Sequence, residues 1–168
     1  RGYISRKKDI DFLVAMNAET AKEDVLSLEP GRAVVYDEPL NLKALRSDLV
    51  FYPVPFDKIV AEVCPDAKLR RLIKNMIYDG VLSHLLGIEL GEMEKALTRQ
   101  LGKKPKALEL NLGALAGGRT YAAEHFEKQG PYRVERMDKT AGQVLVDGNA
   151  AAAMGCRFAG VTVVDPER

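Results

Sequence analysis

The chain has two cysteines, two histidines and no C-x-x-C pair. Cys64 and Cys156 lie far apart in apolar surroundings, so no disulfide framework is expected and both thiols read as reduced, buried and inert. Without a C-x-x-C, no iron–sulfur or structural zinc site is expected from this chain alone. Neither His84 nor His125 belongs to a His-x-x-x-His or has an acidic partner pattern, so no metal site is expected. His84, in SHLLG, reads as a core or half-buried residue. His125 lies near a helix end, where a cation suits the dipole. Charge of one sign is also missing: 25 basic against 24 acidic residues leave +1, which gives no case for nucleic acid. No apolar run reaches 18 residues, so no membrane span is implied. The start, RGYISRKKDIDF, has no apolar h-region and does not read as a signal peptide. The cytoplasm is the expected compartment. No Ser or Cys sits in a nucleophile elbow.

What is present is the balance of a soluble globular protein, 46% hydrophobic and 29% charged over 168 residues. That length suits one ordinary domain plus a fragment of another. Residues 10–17, IDFLVAMN, form a nearly continuous apolar run of strand length, which suits a parallel strand covered on both faces. The spacing predicts a helix over 18–28, stopped by Glu29-Pro30-Gly31, then strands over 32–36 and 48–54. Pro53 and Pro55 place the end of the third strand at an edge or just beyond the sheet. The alternation gives an α/β domain with a parallel or mixed sheet. From Phe56 onward the chain turns helical, with helices expected over 56–64, 66–86, 90–101 and 105–127. Gly80 marks an interruption or a close contact. Gly113, Gly117 and Gly118 let the last of these helices pack closely or bend. Residues 132–138 read as extended, 139–143 as a linker, and the boundary falls near residue 140.

Several positions are candidates for chemistry. The turn after the first strand, AETAKED, has no glycine, which excludes a standard dinucleotide fingerprint. The Gly117-Gly118 pair lies inside a helix and reads as packing. Asp37 and Glu38 follow a strand end, where α/β sites lie, although a solvated turn before Pro39 is the favoured reading. Asn17, after Met16, is the best-placed polar residue and is expected to cap the following helix. Arg6, Lys7 and Lys8 read as a solvated surface rather than a phosphate-facing patch. Residues 148–164, GNAAAAMGCRFAGVTVV, open on Gly-Asn, run through small residues and close in a β-branched strand. A helix with so little side chain makes sense where another backbone or a flat ligand comes close.

The segment DIDFLVAMNAETAKEDVLSLEPGRAVVYDE resembles the γ-type domain of 2-oxoacid:ferredoxin oxidoreductases, and NLGALAGGRTYAAEHF continues the similarity. DGNAAAAMGCRFAGVTVV resembles the opening of the thiamine-pyrimidine domain in α subunits that fuse the two in that order. The resemblance implies a γ-type domain over 1–139, then a linker and the first helix and strand of a second α/β domain over 140–168. It also implies a fragment. The family's glycine-rich opening does not precede Arg1, and its Tyr-Pro-Ile-Thr-Pro stretch does not follow Val164. The implied activity is oxidative decarboxylation of a 2-oxoacid, 2-oxoglutarate being favoured, to an acyl-coenzyme A, or the reverse carboxylation. The implied cofactors are thiamine diphosphate with magnesium and an iron–sulfur cluster in the assembled enzyme. The implied partners are a β subunit, ferredoxin, coenzyme A and the 2-oxoacid. No catalytic residue carries over. Gly148 and Asn149 match the opening of the pyrimidine domain and are the candidate cofactor-site residues, with packing as the competing role. A non-catalytic assembly module that supplies subunit interface is the alternative. A stand-alone nucleotide- or coenzyme A-binding domain is the weakest reading, given the missing glycine loop.

Overall fold

The computed structural model describes residues 9–162. Three parallel strands, β1 (Phe12–Ala15), β2 (Ala33–Asp37) and β3 (Val50–Val54), lie in the order β1-β2-β3. Phe12 pairs with Ala33, and Ala33 with Val50. The central strand supplies two cores at once. Ala33 and Val35 join Tyr52, Val54, Phe56 and Ile77 on one face. Val34 and Tyr36 join Ala15, Ala21, Val25 and Leu42 on the other. A strand buried on both faces has no polar side to show, which is why its sequence is an unbroken apolar run.

The first apolar run is only partly strand. Ile10 is exposed, and Asn17 closes a turn instead of capping a helix. The Asn17 carbonyl accepts from Ala21 N at 2.9 Å, and its Oδ1 accepts from Glu19 N at 3.1 Å. This Asx turn consumes residues 18–20, so helix α1 is confined to Ala21–Leu26. Arg46 then collects the carbonyl of Leu28 at 2.6 Å while forming a two-pronged pair with Asp48. The pairing with Arg46 holds the Asp48 carboxyl below its ordinary value. Pro53 sits on β3 opposite Tyr36, on a strand at the sheet's edge among the described residues.

Helices α2 (Phe56–Val63), α3 (Ala67–Leu85), α4 (Leu90–Leu101) and α5 (Pro105–His125) build the rest of the first unit. Asp66 caps α3 by accepting from Lys68 N at 2.9 Å. Asp66→Ala is expected to cost about 1 kcal/mol, read as a drop of roughly 3 °C in Tm by calorimetry. Helix α3 runs uninterrupted through Gly80, and α5 through its three glycines. Close approach is therefore the role of Gly80 and Gly118. A Cβ on Gly80 would lie 2.1 Å from the Leu115 carbonyl oxygen, and one on Gly118 would lie 2.0 Å from that of Ile77. These pairings run in opposite senses along the two helices, so α3 and α5 are antiparallel with their backbones touching.

The chain returns from α5 as a strap, not as a strand. Gln129 N donates to the Tyr52 hydroxyl at 2.9 Å, Arg32 donates to the Tyr132 hydroxyl at 2.9 Å, and Val134 N donates to the Leu86 carbonyl at 2.8 Å. Compactness divides the chain between Glu135 and Arg136. The second unit contains α6 (Gly148–Phe158), capped by Asp147, which accepts from Ala150 N at 2.7 Å. No residue of α6 is buried. Cys64 is buried as expected, but Cys156, on α6, is exposed. Val161 and Thr162 form no strand, and Val163 and Val164 lie outside the described residues.

Candidate functional site

In a parallel sheet all strands end on one side, and crevices form beyond those carboxyl ends. Here β2 ends at Asp37 and β3 at Val54, followed by Glu38 and Pro55. These two residues open a cleft of about 640 Å³ between α2 and α5. Its floor is nearly bare, because α5 presents Gly113, Ala116 and Gly117 there. A Cβ on Gly113 would meet nothing within 4 Å. The rim carries Glu38, Glu62 and Glu124 with Lys58 and His125.

Tyr121 and His125 form one unit on this rim. Their rings stack 4.1 Å apart at 14°, and His125 Nδ1 lies 2.9 Å from the Tyr121 carbonyl oxygen. Burial, with the Glu38 charge adding, pushes the Tyr121 hydroxyl above its ordinary value. The phenol therefore stays protonated near neutral pH and can only donate or accept a hydrogen bond.

Beneath the end of β2 lies an ion-pair node. Lys74 Nζ, from α3, donates to Asp37 Oδ2 at 3.0 Å and to Asp57 Oδ1 at 2.9 Å. Burial alone would lower the lysine value, but the two carboxylates together hold it above the ordinary one. Asp37 is therefore not part of a solvated turn: its side chain is 14% exposed, and its Oδ1 is buried without a hydrogen bond among the described residues. Glu38, beside it, is exposed.

The family model for pyruvate ferredoxin/flavodoxin oxidoreductase matches residues 2–121. The chain belongs to that family. The chain is also similar to a solved 2-oxoglutarate:ferredoxin oxidoreductase from Magnetococcus marinus, with 2-oxoglutarate, coenzyme A and succinyl-CoA bound in that structure. The TM-score is 0.78 at 28% identity, covering 91% of this chain and 26% of that one. This chain thus spans about a quarter of the length of the chain it matches. No curated protein matches the sequence. The α/β class and the helical half expected from the sequence are those of this oxidoreductase fold.

The remaining sequence candidates fall in scattered places on this chain. His84 is half-buried in the last turn of α3, and His125 is exposed in that of α5. Gly118 is a packing residue, while its neighbour Gly117 also floors the cleft. Gly148 and Asn149 are exposed in the first turn of α6. Arg6, Lys7 and Lys8 lie outside the described residues. Among the described residues no three His, Cys, Asp or Glu side chains converge as a metal site. With Cys64 buried alone and Cys156 exposed alone, these residues do not fit an iron–sulfur cluster. Among them no helix is long and apolar enough to cross a membrane. Sequence reasoning missed Lys74, Tyr121, Glu62 and Glu124. For Lys74 one signal was present: it follows Ile73, which is buried, so the lysine borders the apolar stripe of α3.

Proposed function

We propose that this chain is part of the α subunit of a 2-oxoacid:ferredoxin oxidoreductase. Residues 1–139 would be the γ-type domain, and 140–168 the linker and opening of the thiamine-pyrimidine domain. The reaction breaks the bond between the carbonyl carbon and the carboxylate of a 2-oxoacid. The acyl group passes to the coenzyme A sulfur, the thiol proton and carbon dioxide leave, and two electrons go to ferredoxin; the reverse carboxylation is the same chemistry run backwards. The favoured substrate is 2-oxoglutarate. The observation that carries this reading is the structural similarity over 91% of the chain, which extends beyond the residues matched by the family model.

In the assembled enzyme, thiamine diphosphate with magnesium would supply the carbon nucleophile, and an iron–sulfur cluster would carry the electrons. The described residues offer no ligand set for the cluster. Gly148 and Asn149 would open the pyrimidine domain beside that cofactor, with Asp147 fixing their turn. The cytoplasm is the proposed compartment, and the β subunit the proposed companion.

Full-length α subunit assembled with its β subunit is expected to reduce a viologen dye with 2-oxoglutarate and coenzyme A. Its kcat/KM should exceed that for pyruvate by about 10^4-fold, because pyruvate would leave unpaired the polar groups of a site built for a second carboxylate. The 168-residue chain alone should show no turnover. Equal or better use of pyruvate would remove the substrate assignment, and turnover by the isolated chain would remove the assignment as a whole.

One observation also favours an interface role. In the second unit Leu145 is fully exposed, Phe158 is 86% exposed, and Val144 is 75% exposed. Apolar groups exposed at this density mark a surface that further protein covers. An assembly module and membership of an enzyme are compatible.

A further inference from the structure

We propose that a slot between α3 and α4 receives a basic side chain, lysine or arginine, of a partner protein. The proposal stands on the geometry of this slot and goes beyond the oxidoreductase reading. The slot has a volume of about 260 Å³. Met76 and Asp79 of α3 line one side, Met93, Leu97 and Gln100 of α4 line the other, and Leu115 of α5 is the floor. The spacings of three and four residues put each set on one face of its helix. Leu97 and Leu115 are buried, while Met76, Asp79 and Met93 are half-buried.

Asp79 sets the chemistry of the slot. It is the one charged side chain in the lining, and it makes no ion pair among the described residues. Its neighbours one turn away on α3, Asn75, Met76, Leu82 and Ser83, include no cation. On α4, Lys95 is held by Glu92 at 2.8 Å, and Arg99 does not line the slot. Burial pushes the Asp79 carboxyl above its ordinary value, and no nearby cation opposes that shift. A half-buried carboxylate without a counter-charge weakens the fold, and a cation from outside would relieve it.

The rest of the lining decides what carries that cation. Met76, Met93 and Leu97 need an aliphatic neighbour, and methionine adapts its shape to one. Lysine and arginine supply both parts, an alkyl stem and a charged head. No His, Cys or second carboxylate lines the slot, so a divalent ion would find a single anionic ligand. Small-molecule sites span roughly 300–1,000 Å³, so this slot suits one side chain rather than a nucleotide. Leu72 makes the carrier a protein. It shares the α3 face of Met76 and Asp79, four and seven residues before them, and is 69% exposed. A free amine in the slot would leave Leu72 in water. A segment with an apolar residue beside its basic one covers both.

The test is an NMR titration of the 168-residue chain with two peptides. One is acetyl-Ala-Leu-Ala-Ala-Lys-Ala-Leu-amide, and the other has norleucine in place of the lysine. The lysine peptide is expected to shift the amide signals of Met76, Asp79, Met93 and Leu97. It should bind about fivefold more tightly than the norleucine peptide, the upper end of what a solvent-accessible ion pair contributes. Asp79→Asn should erase that preference and unfold no earlier than the parent, because nothing inside the fold pairs with Asp79. Equal binding of the two peptides, or a preference that survives Asp79→Asn, overturns the proposal. So does a clear drop in Tm for Asp79→Asn, which would mean that the carboxylate already has an internal partner. Cadaverine binding as tightly as the lysine peptide would assign the slot to a free amine and overturn the protein partner. In the assembled enzyme, carbodiimide should join Asp79 to a lysine of a companion chain, and a link within the same chain counts against the proposal. The peptide titration is independent of dye reduction, so failure of the oxidoreductase reading would leave this result standing.

Discussion

Gly118→Ala is expected to lower the unfolding free energy by about 3 kcal/mol, the upper end of what overpacking costs. The added methyl group would sit 2.0 Å from the Ile77 carbonyl oxygen, 2.8 Å from its carbon and 3.0 Å from its Cα. All three are backbone atoms, so no rotamer change relieves the overlap. The two helices must separate, and the side chains they bury together, Ile77, Val81, Ala114 and Leu115, lose contact along the seam. Alanine's better helix propensity returns about 1 kcal/mol, which does not offset that loss. Gly80→Ala is expected to act alike, because its methyl would meet the Leu115 oxygen at 2.1 Å and the Arg119 nitrogen at 2.8 Å. The double variant should cost less than the two separate effects added together, since one displacement relieves both overlaps. Gly113→Ala is the control. It stands on the same helix with nothing within 4 Å, and it should stabilise by about 0.5–1 kcal/mol. Urea unfolding of the three single variants decides the matter. Equal shifts at positions 113 and 118 would show that helix propensity, not backbone contact, sets the cost.

The same glycines show how far sequence reasoning reaches. Proline and glycine punctuation, the unbroken apolar strands and the helical periodicity are local signals. They gave the strand–helix–strand order and the four long helices to within a few residues. Whether Gly80 interrupts α3 or lets α5 approach depends on which helix lies opposite, and no local signal carries that. Asn17 failed for a local reason. Its side chain closed an Asx turn two residues on, so the helix it was expected to cap starts later. Cys156 failed because an apolar neighbourhood in sequence does not ensure cover in space. Asp37 failed because its partner is 37 residues away on another helix. The cleft was illegible for the same reason, being assembled from two strand ends and two helices. The family was legible because its segments occur in order along the chain, which is one-dimensional information.

Lys74→Met should cost about 2 kcal/mol and loosen the end of β2. Breaking a fully buried ion pair costs 3–5 kcal/mol because one charge is left behind in a poor solvent. Here the figure is discounted, because the Lys74 side chain is 20% exposed and that of Asp57 is 77% exposed. Asp37 carries the penalty: its Oδ1 already lacks a hydrogen bond, and the substitution would strip Oδ2 as well. Asp57→Asn removes only the exposed partner and should cost less than about 1 kcal/mol. Adding Asp37→Asn to Lys74→Met should recover much of the loss, since no charge then remains to be stranded. The pH dependence follows from the direction of the lysine shift. Its folded value lies above the ordinary 10.5, so the stabilisation is complete below pH 10.5. It fades as the pH rises through the folded value and the ammonium loses its proton. The gap between the parent and Lys74→Met should therefore hold steady across neutral pH and narrow in the alkaline range. A gap that stays constant to the alkaline limit of folding would mean that the methylene stem's packing, not its charge, holds the node. Because Asp37 is the last residue of β2 and Glu38 opens the cleft, amide exchange at Asp37, Glu38, Leu40 and Asn41 should quicken in the variant. That local change separates a failed anchor at the cleft's rim from a general loss of stability.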